Sequence, residues 1–341
     1  MSEKFGVGIR GTGQVAIEHL KAIEANAHTA VVAVCGRSLE STERFVKTYA
    51  PQAKVYVEYE KMLEDPEVAI VSECMPNHLH AIEGKLALEA GKHLILEKPA
   101  GITPEETEML YAAAEASDKK SVVSFVLRWH PMVQNIHALL AKKAFGDIYY
   151  AEADYWHGIS PKFNSYSWIR QKQFAGGAMI TGGSHAVDLL RYLHGEIAEV
   201  SAYSVRMRQD FDYETTSVAA LRFADGTVGK ASASLDGLRF PYQFNLDLLG
   251  TDGACRDNRF YAKDLFPFQE DWMNFTTSTP NSGSVGHHPF KAEIDNLVDS
   301  IINDTPVLCD IQDACRTMRV VHAIDRSALE GKPVSISGLT S

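Results

Sequence analysis

Phe5-Gly6-Val7-Gly8-Ile9-Arg10 runs straight into Gly11-Thr12-Gly13-Gln14-Val15-Ala16, and the helical spacing of Ile17, Leu20 and Ile23 follows at once. A strand-like run, a glycine-rich turn and a helix start in that order give the G-x-G-x-x-A pattern its required context. The glycines permit a tight turn and the close approach of a pyrophosphate, which then sits on the positive end of the helix. Gly11, Thr12, Gly13, Gln14 and Val15 are therefore the expected cofactor contacts. The next strand, Ala30-Val31-Val32-Ala33-Val34-Cys35, arrives where a βαβ unit needs it, which sets this reading above that of a merely structural glycine turn.

At the end of that second strand an NAD site usually carries an acid for the adenosine ribose, and the acid repels a 2′-phosphate. Gly36-Arg37-Ser38 stands there instead. Arg37 offers a planar fork for a phosphate and Ser38 a hydroxyl, so the expected cofactor is NADP, with NAD as the alternative. The competing use of Arg37 is to cap the following helix or to stack on the adenine.

Strands and helices keep alternating. Helix Leu39 to Tyr49 leads to strand Lys54 to Val57, helix Tyr59 to Leu63, strand Val68 to Glu73 and helix Leu79 to Ala90, which Gly91 ends. The apolar run His93-Leu94-Ile95-Leu96 then stops abruptly at Glu97-Lys98-Pro99. A buried strand thus delivers a charged pair to its carboxyl end, where open parallel sheets bind ligands. Pro99 fixes the backbone beyond Lys98 and holds Lys98 itself extended. The preceding strand ends likewise in polar groups, Pro76-Asn77-His78-Leu79-His80, whose histidines face cofactor or substrate or simply neighbour a helix cap. Helix Pro104 to Ala116 and strand Ser121 to Leu127 complete six strands, a doubly wound Rossmann domain expected over residues 1–124.

From residue 125 to 341 the runs become longer and richer in strands, which predicts an α+β domain with a large, mostly antiparallel open sheet. Arg128-Trp129-His130-Pro131 opens a helix, Met132 to Lys143; a strand from Ile148 to His157 ends in Tyr155, Trp156 and His157; Trp168 and Arg170 follow in a loop. Aromatic faces beside charged donors suit the C–H faces and hydroxyls of a sugar or cyclic polyol, and they suit a core edge equally well. Gly176-Gly177-Ala178-Met179-Ile180-Thr181-Gly182-Gly183-Ser184-His185-Ala186-Val187-Asp188-Leu189-Leu190-Arg191 is the second chemical centre: a glycine turn, then a helix that places His185 and Asp188 on one face. Strands Val200 to Met207, Thr216 to Phe223, Val228 to Leu235 and Tyr242 to Gly250 follow, with Ala224-Asp225-Gly226 as a hairpin turn. Asn281 to Pro289, holding Gly283, Gly286, His287 and His288, is a loop before the helices Phe290 to Asn303 and Ile311 to Leu329. A sheet with one face free predicts a homodimer or homotetramer.

The composition bounds the function. A chain of 341 residues suits two domains, and 45% hydrophobic with 23% charged residues is ordinary for a globular protein. No apolar run nears the ~20 residues that cross a bilayer, and Met1-Ser2-Glu3-Lys4 leads directly into a strand, so the expected location is cytoplasmic, without a membrane partner. A net charge of -11 argues against nucleic acid and for a small-molecule partner. Five widely spaced cysteines indicate neither a disulfide framework nor a metal site; they are expected reduced and mostly buried.

The G-x-G-x-x-A turn, Pro76-Asn77-x-x-His80, Ala90-Gly91-Lys92-His93 and Glu97-Lys98-Pro99, in that order, resemble the Gfo/Idh/MocA oxidoreductase family, which includes glucose-fructose oxidoreductase and inositol dehydrogenase. The resemblance implies that Lys98 lies beside the nicotinamide and the reacting carbinol, that Pro76, Asn77, His80 and Glu97 belong to the cofactor site, and that His185 is the proton acceptor. Arg37-Ser38 is similar to the NADP-using branch with dimeric dihydrodiol dehydrogenase. Thr181 stands where the family has an aspartate four residues before its histidine, which points to a different substrate subgroup.

The expected activity is hydride transfer between a nicotinamide cofactor and a secondary alcohol or ketone of a sugar, sugar derivative or cyclitol. Lys98 and His185 are the expected catalytic residues; Arg128, Trp129, Tyr155, His157, Trp168, Thr181 and Asp188 are the expected substrate contacts, Asp188 orienting His185 or a substrate hydroxyl. The alternatives are an NAD-dependent glycosidase using transient oxidation and a non-catalytic dinucleotide sensor, which needs neither Lys98 nor His185.

Overall fold

The computed structural model describes residues 4–237, 242–280 and 288–336. They divide into two compact units, Met1–Val126 with Pro289–Arg316, and Leu127–His288 with Thr317–Ser341.

In the first unit, strands β1 (Phe5–Arg10), β2 (Thr29–Cys35), β3 (Lys54–Tyr56), β4 (Ile70–Glu73), β5 (His93–Leu96) and β6 (Ser121–Val123) alternate with helices α1 (Gln14–Glu24), α2 (Leu39–Tyr49), α3 (Tyr59–Leu63), α4 (Asn77–Glu89) and α5 (Pro104–Glu115). All neighbouring strands are parallel, in the order β3-β2-β1-β4-β5-β6, the doubly wound sheet that the alternation predicts. The sheet has helices to cover it, and its strands read accordingly: Leu94, Ile95 and Leu96 are wholly buried in succession, at about 1.5–3 kcal/mol for each large apolar side chain taken from water. The reversal of strand order lies between β1 and β4, so the carboxyl ends of both strands meet where this fold takes its ligand.

The second unit holds a nine-stranded sheet. Helices α6 (Pro131–Ala141), α7 (Tyr166–Ile169), α8 (Lys172–Ala175) and α9 (Ser184–Leu193) interleave with β7 (Ile148–Trp156), β8 (Ile197–Val205), β9 (Thr216–Phe223), β10 (Val228–Ser234), β11 (Gln243–Gly250), β12 (Gly253–Arg256), β13 (Arg259–Ala262) and β14 (Met273–Asn274). After α10 (Phe290–Asn303) and α11 (Ile311–Glu330), β15 (Val334–Ser335) adds to the far edge. The order is β14-β13-β12-β11-β7-β10-β9-β8-β15, antiparallel everywhere except between β7 and β10. The β9–β10 hairpin turns at Asp225-Gly226 as read, with Gly226 at φ +90° and the Asp225 carboxylate accepting from Thr227 N–H at 3.0 Å. Helix α9 packs against β7 and β10.

The expected boundary at 124/125 lies two residues before the first unit's break, but the carboxyl-terminal segment departs from the expectation. Pro289–Arg316 belongs with the first unit. Phe290 packs against His19 with the rings tilted at 51° and 4.7 Å between centroids, Asn26 donates to Asp295 at 2.8 Å, and Ser124 donates to Glu293 at 2.7 Å. A helix leaves no local mark of which sheet its apolar stripe will cover, and this tie was invisible in the sequence. The expected strand Ser121 to Leu127 is also shorter, because the chain enters a 3₁₀ turn at Val126–Trp129. Of the loop over Asn281 to Pro289, residues 281–287, with Gly283, Gly286 and His287, lie outside the described residues.

Candidate active site

The first unit places its candidate site residues at three strand ends. After β1, Gly11 holds φ +112°, a left-handed value that glycine adopts without strain, and a Cβ there would come 2.8 Å from the Cys74 carbonyl oxygen. Its N–H donates to Cys35 O at 2.9 Å, tying the turn to the end of β2. Gly13 caps α1 without any side-chain acceptor, no acidic residue occupies the first helical turn, and a Cβ on Gly13 would meet nothing within 4 Å. Thr12 and Val15 are half-buried, while Gly13 and Gln14 are exposed. Uncapped N–H groups at a positive helix end, open on one side and without a competing carboxylate, fit a pyrophosphate. Arg37 and Ser38 lie exposed beyond β2. Ser38 also caps α2, accepting from Ser41 N–H at 3.4 Å.

Lys98 follows β5 directly, half-buried, on a cis peptide to Pro99. Burial presses its ammonium pKa below the usual lysine value, and the neighbouring Glu97 carboxylate pulls the other way. Burial in turn acts to raise the Glu97 carboxyl, but the hydrogen bond and charge of His19, then Lys98, outweigh it and hold it below the ordinary range. His19 Nε2 stands 3.1 Å from Glu97 Oε1, and His19 Nδ1 stands 2.9 Å from the Ser72 hydroxyl. The Nε2–H donates to the carboxylate, and Nδ1 pairs with the hydroxyl. His19 thereby fixes the acid beside Lys98 from helix α1. Sequence reading missed it, although a histidine inside the apolar stripe Ala16, Leu20, Ile23 requires a buried partner.

The loop after β4 supplies Pro76 and Asn77, the latter 5% exposed at the start of α4. His80 was expected to face the cofactor; it is 1% exposed, with Nδ1 3.0 Å from Pro99 O and Nε2 2.7 Å from Met75 O. Its ring is committed to the main chain. Glu73 is fully buried and its carboxyl pKa is driven well up, first by burial and then by Glu83. Glu83 itself is held by Arg10 through bonds of 2.8 and 2.6 Å.

In the second unit His185 is the second residue of α9 and is 3% exposed. The turn before it, Met179–Gly183, is π-helical, and Gly182 lets it lie on the sheet: a Cβ there would fall 2.4 Å from the Tyr155 ring. Tyr155 consequently stacks on His185 at 5.7 Å with the planes 17° apart. Tyr242 packs on Tyr155 at 4.9 Å and on His157 at 5.4 Å; Phe163 meets His157 at 5.3 Å; His288 comes 6.3 Å from His185. The Tyr155 hydroxyl lies 3.4 Å from His157 Nδ1, and burial pushes its pKa up, so the phenol stays protonated. The structure thus brings together His185, Tyr155 and His157, and adds Tyr242, Phe163 and His288. Trp156, next along β7, points to the other face and donates to Ser232 at 3.0 Å.

Three expected substrate contacts are differently employed. Arg128 and Asp188 are each other's partners in a buried fork of 2.9 and 2.7 Å, with Thr317 donating to Asp188 at 3.1 Å. The arginine also lies 5.1 Å above the Tyr192 ring. This pair anchors α9 to the segment after β6, a role the one-face reading of His185 and Asp188 did not foresee. Thr181 donates its hydroxyl to Ala175 O at 2.8 Å, stitching α8 to the π-turn. Trp129 and Trp168 are half-buried.

All five cysteines are free, Cys74 alone being partly exposed, and among the described residues no helix is long and apolar enough to cross a membrane.

Comparison with known proteins adds to this geometry. Residues 5–125 match the profile of the GFO/IDH/MocA oxidoreductase family, NAD-binding Rossmann fold, and residues 133–256 match the GFO/IDH/MocA C-terminal domain. The chain is 30% identical over 222 residues to levoglucosan dehydrogenase of Pseudarthrobacter phenanthrenivorans, covering 58% of this chain and 57% of that one. It is 28% identical over 218 residues to trans-1,2-dihydrobenzene-1,2-diol dehydrogenase of Oryctolagus cuniculus, covering 63% and 64%. These matches span rather less than two thirds of the length of either relative. Among solved structures, levoglucosan dehydrogenase in complex with NADH superposes with a TM-score of 0.89 at 23% identity, over 99% of this chain and 100% of that one. The WlbA dehydrogenase from Bordetella pertussis, in complex with NADH and UDP-GlcNAcA, superposes at 0.86 with 21% identity, over 99% of each. At such identities the likeness is one of fold.

Proposed function

Because the chain belongs to the GFO/IDH/MocA oxidoreductase family, we propose that it moves a hydride between NADP and a secondary carbinol of a sugar, sugar derivative or cyclitol. The observation that carries the reading is the placing of Lys98: a partly buried lysine at a strand end of a dinucleotide fold, beside a carboxylate whose charge opposes its desolvation. A sensor needs no such group.

The bound nicotinamide would supply the hydride acceptor or donor at its ring, and the chain's own residues do the rest. The Gly11–Val15 turn and the uncapped end of α1 hold the pyrophosphate. Arg37 and Ser38 read the 2′-phosphate. Lys98 steadies the negative charge that grows on the carbinol oxygen, and His185 takes its proton. The aromatic surfaces of Tyr155, Tyr242 and Phe163 around His157 suit the C–H face of a ring bearing hydroxyls, and the relatives named for levoglucosan and for a cyclic diol act on compounds of that description.

Incubation with NADP or NAD and a panel of sugars, anhydrosugars and cyclitols, followed by the absorbance of the reduced nicotinamide, tests the activity. Lys98→Ala and His185→Ala are each expected to lower the hydride-transfer rate strongly and leave cofactor affinity nearly intact. Their effects should not add, since both serve the same charge. Normal turnover in Lys98→Ala would make Glu97-Lys98-Pro99 a structural segment and overturn the role given to Lys98, whereas a wild-type protein without turnover on any substrate would favour the sensor reading. For the cofactor, Arg37→Ala should weaken NADP by about 1–3 kcal/mol more than NAD, as loss of a charged hydrogen bond does. Equal weakening of both would overturn the NADP assignment.

A further inference from the structure

His80 is bracketed by acceptors. Pro99 O lies 3.0 Å from Nδ1 and Met75 O lies 2.7 Å from Nε2, and a main-chain carbonyl can only accept. A neutral imidazole has one N–H, so its second nitrogen would direct a lone pair at a carbonyl lone pair. The neighbours of His19 differ: one of them is a hydroxyl, which can donate as well as accept.

Beside His80 is a carboxyl with no other use for one of its oxygens. Glu73 Oε1 accepts from Met75 N–H at 3.0 Å; Oε2 makes no hydrogen bond among the described residues and lies 3.6 Å from His80 Nε2. Burial favours the neutral form of each, raising Glu73 and lowering His80, with Lys98 also lowering His80 and Glu97 and the two carbonyls opposing. The choice is where one proton goes. On Glu73 Oε2 it has no acceptor within hydrogen-bond reach, and Met75 O still faces a lone pair. On His80 it satisfies both carbonyls and leaves a counter-charge alongside. The remaining charges nearby are already matched, Arg10 with Glu83 and Glu97 with His19 and Lys98.

We infer that His80 is held as an imidazolium, countered by Glu73, and that in this form it is the positioning residue for Lys98, clamping the turn after β5 to the loop before α4. Pro99, whose carbonyl it grips, follows Lys98 directly, so the clamp sets the backbone from which the ammonium projects. The positioning role rests on the reading of Lys98 as catalytic; the protonation state does not.

The test uses the intact protein with nitrogen-15 in its histidine rings. His80, assigned through correlations to its own backbone, is expected to show two protonated ring nitrogens and no titration between about pH 6 and pH 8.5, where an ordinary histidine changes state. A hydrogen-free nitrogen at either position overturns the inference. In Glu73→Gln the ring is expected to become neutral, and the turnover number to fall on the order of ten- to a hundredfold with NADP affinity unchanged, as a misplaced catalytic group predicts. A ring still charged in that variant removes Glu73 as its counter-ion and overturns the proposal; an unchanged turnover number with a neutral ring overturns the positioning role. A protein inactive on every substrate would sink the hydride-transfer reading, and the ring spectrum would still decide the state of His80.

Discussion

Glu97 never needs to touch a substrate to decide what Lys98 does. Its carboxylate, kept ionised mainly by His19, opposes the burial that drives the Lys98 ammonium toward the neutral amine. In the role proposed for it Lys98 acts as the ammonium, and its pKa is depressed, so activity should be present at neutral pH and lost as pH rises through a value below the roughly 10.4 of an ordinary lysine. Glu97→Gln removes the opposing charge, lowers that pKa further, and should move the alkaline limb of kcat/KM to lower pH; a limb that stays in place would show that Lys98 is not the group titrating. Much of this was legible from the sequence. The apolar run from His93 to Leu96 with a charged pair at its end announces both residues, because a buried strand cannot stop on charges without a use for them. The uses of His19 and Glu73 were not legible, since the partners of His19 lie at the ends of β4 and β5, that of Glu73 lies on α4, and only folding sets them side by side.

At the level of elements, the π-turn Met179–Gly183 and helix α9 can approach the sheet only because Gly182 has no Cβ. Gly182→Ala would drive a methyl into the Tyr155 ring and push the histidine-bearing helix outward, with an expected loss on the order of 1–3 kcal/mol as for overpacking, read by thermal unfolding. Unfolding at the wild-type temperature would mean that β7 yields and the close approach is dispensable. Helix α11 carries a different kind of strain. Burial raises the Asp325 carboxyl to about 7, beside the Gly176-Gly177 turn, where a Cβ on Gly177 would lie 3.5 Å from its Oδ2. An acid whose folded pKa is raised contributes its full stability below the unfolded value of about 3.9, and that contribution is lost as pH climbs through about 7. Asp325→Asn should therefore leave denaturant stability near wild type around pH 4 and gain on the order of 1–3 kcal/mol around pH 8. An equal effect at both would refute a titrating Asp325. Long periodic elements such as α10 were readable to the residue, whereas β12, β13, β14 and β15, at two to four residues each, were not. Strands so short owe their pairing to neighbours in the sheet, not to a pattern of their own.

For the whole molecule, the sequence conveyed two units and their classes but not the path of the chain between them. The first unit is closed by residues that follow Leu127–His288 in the chain: α10 lays Phe290 against His19, Val123 N–H donates to Cys309 O at 2.9 Å, and Ile311 N–H donates to the Ser121 hydroxyl at 3.4 Å. A fragment ending at Val126 would present that side of α1 and the outer edge of β6 uncovered, and should be insoluble or loosely packed by near-ultraviolet dichroism. Supplying Pro289–Arg316 as a linked segment should restore a cooperative transition; a fragment that unfolds cooperatively without it would show that the sheet needs no late partner. The same discontinuity governs timing in the cell. Synthesis at ~5–20 residues per second takes on the order of 10–30 s to traverse Leu127–His288, and through that interval the nucleotide-binding half has an open flank. A sheet whose six strands all precede Leu127 is thus completed only after Leu127–His288 has been made.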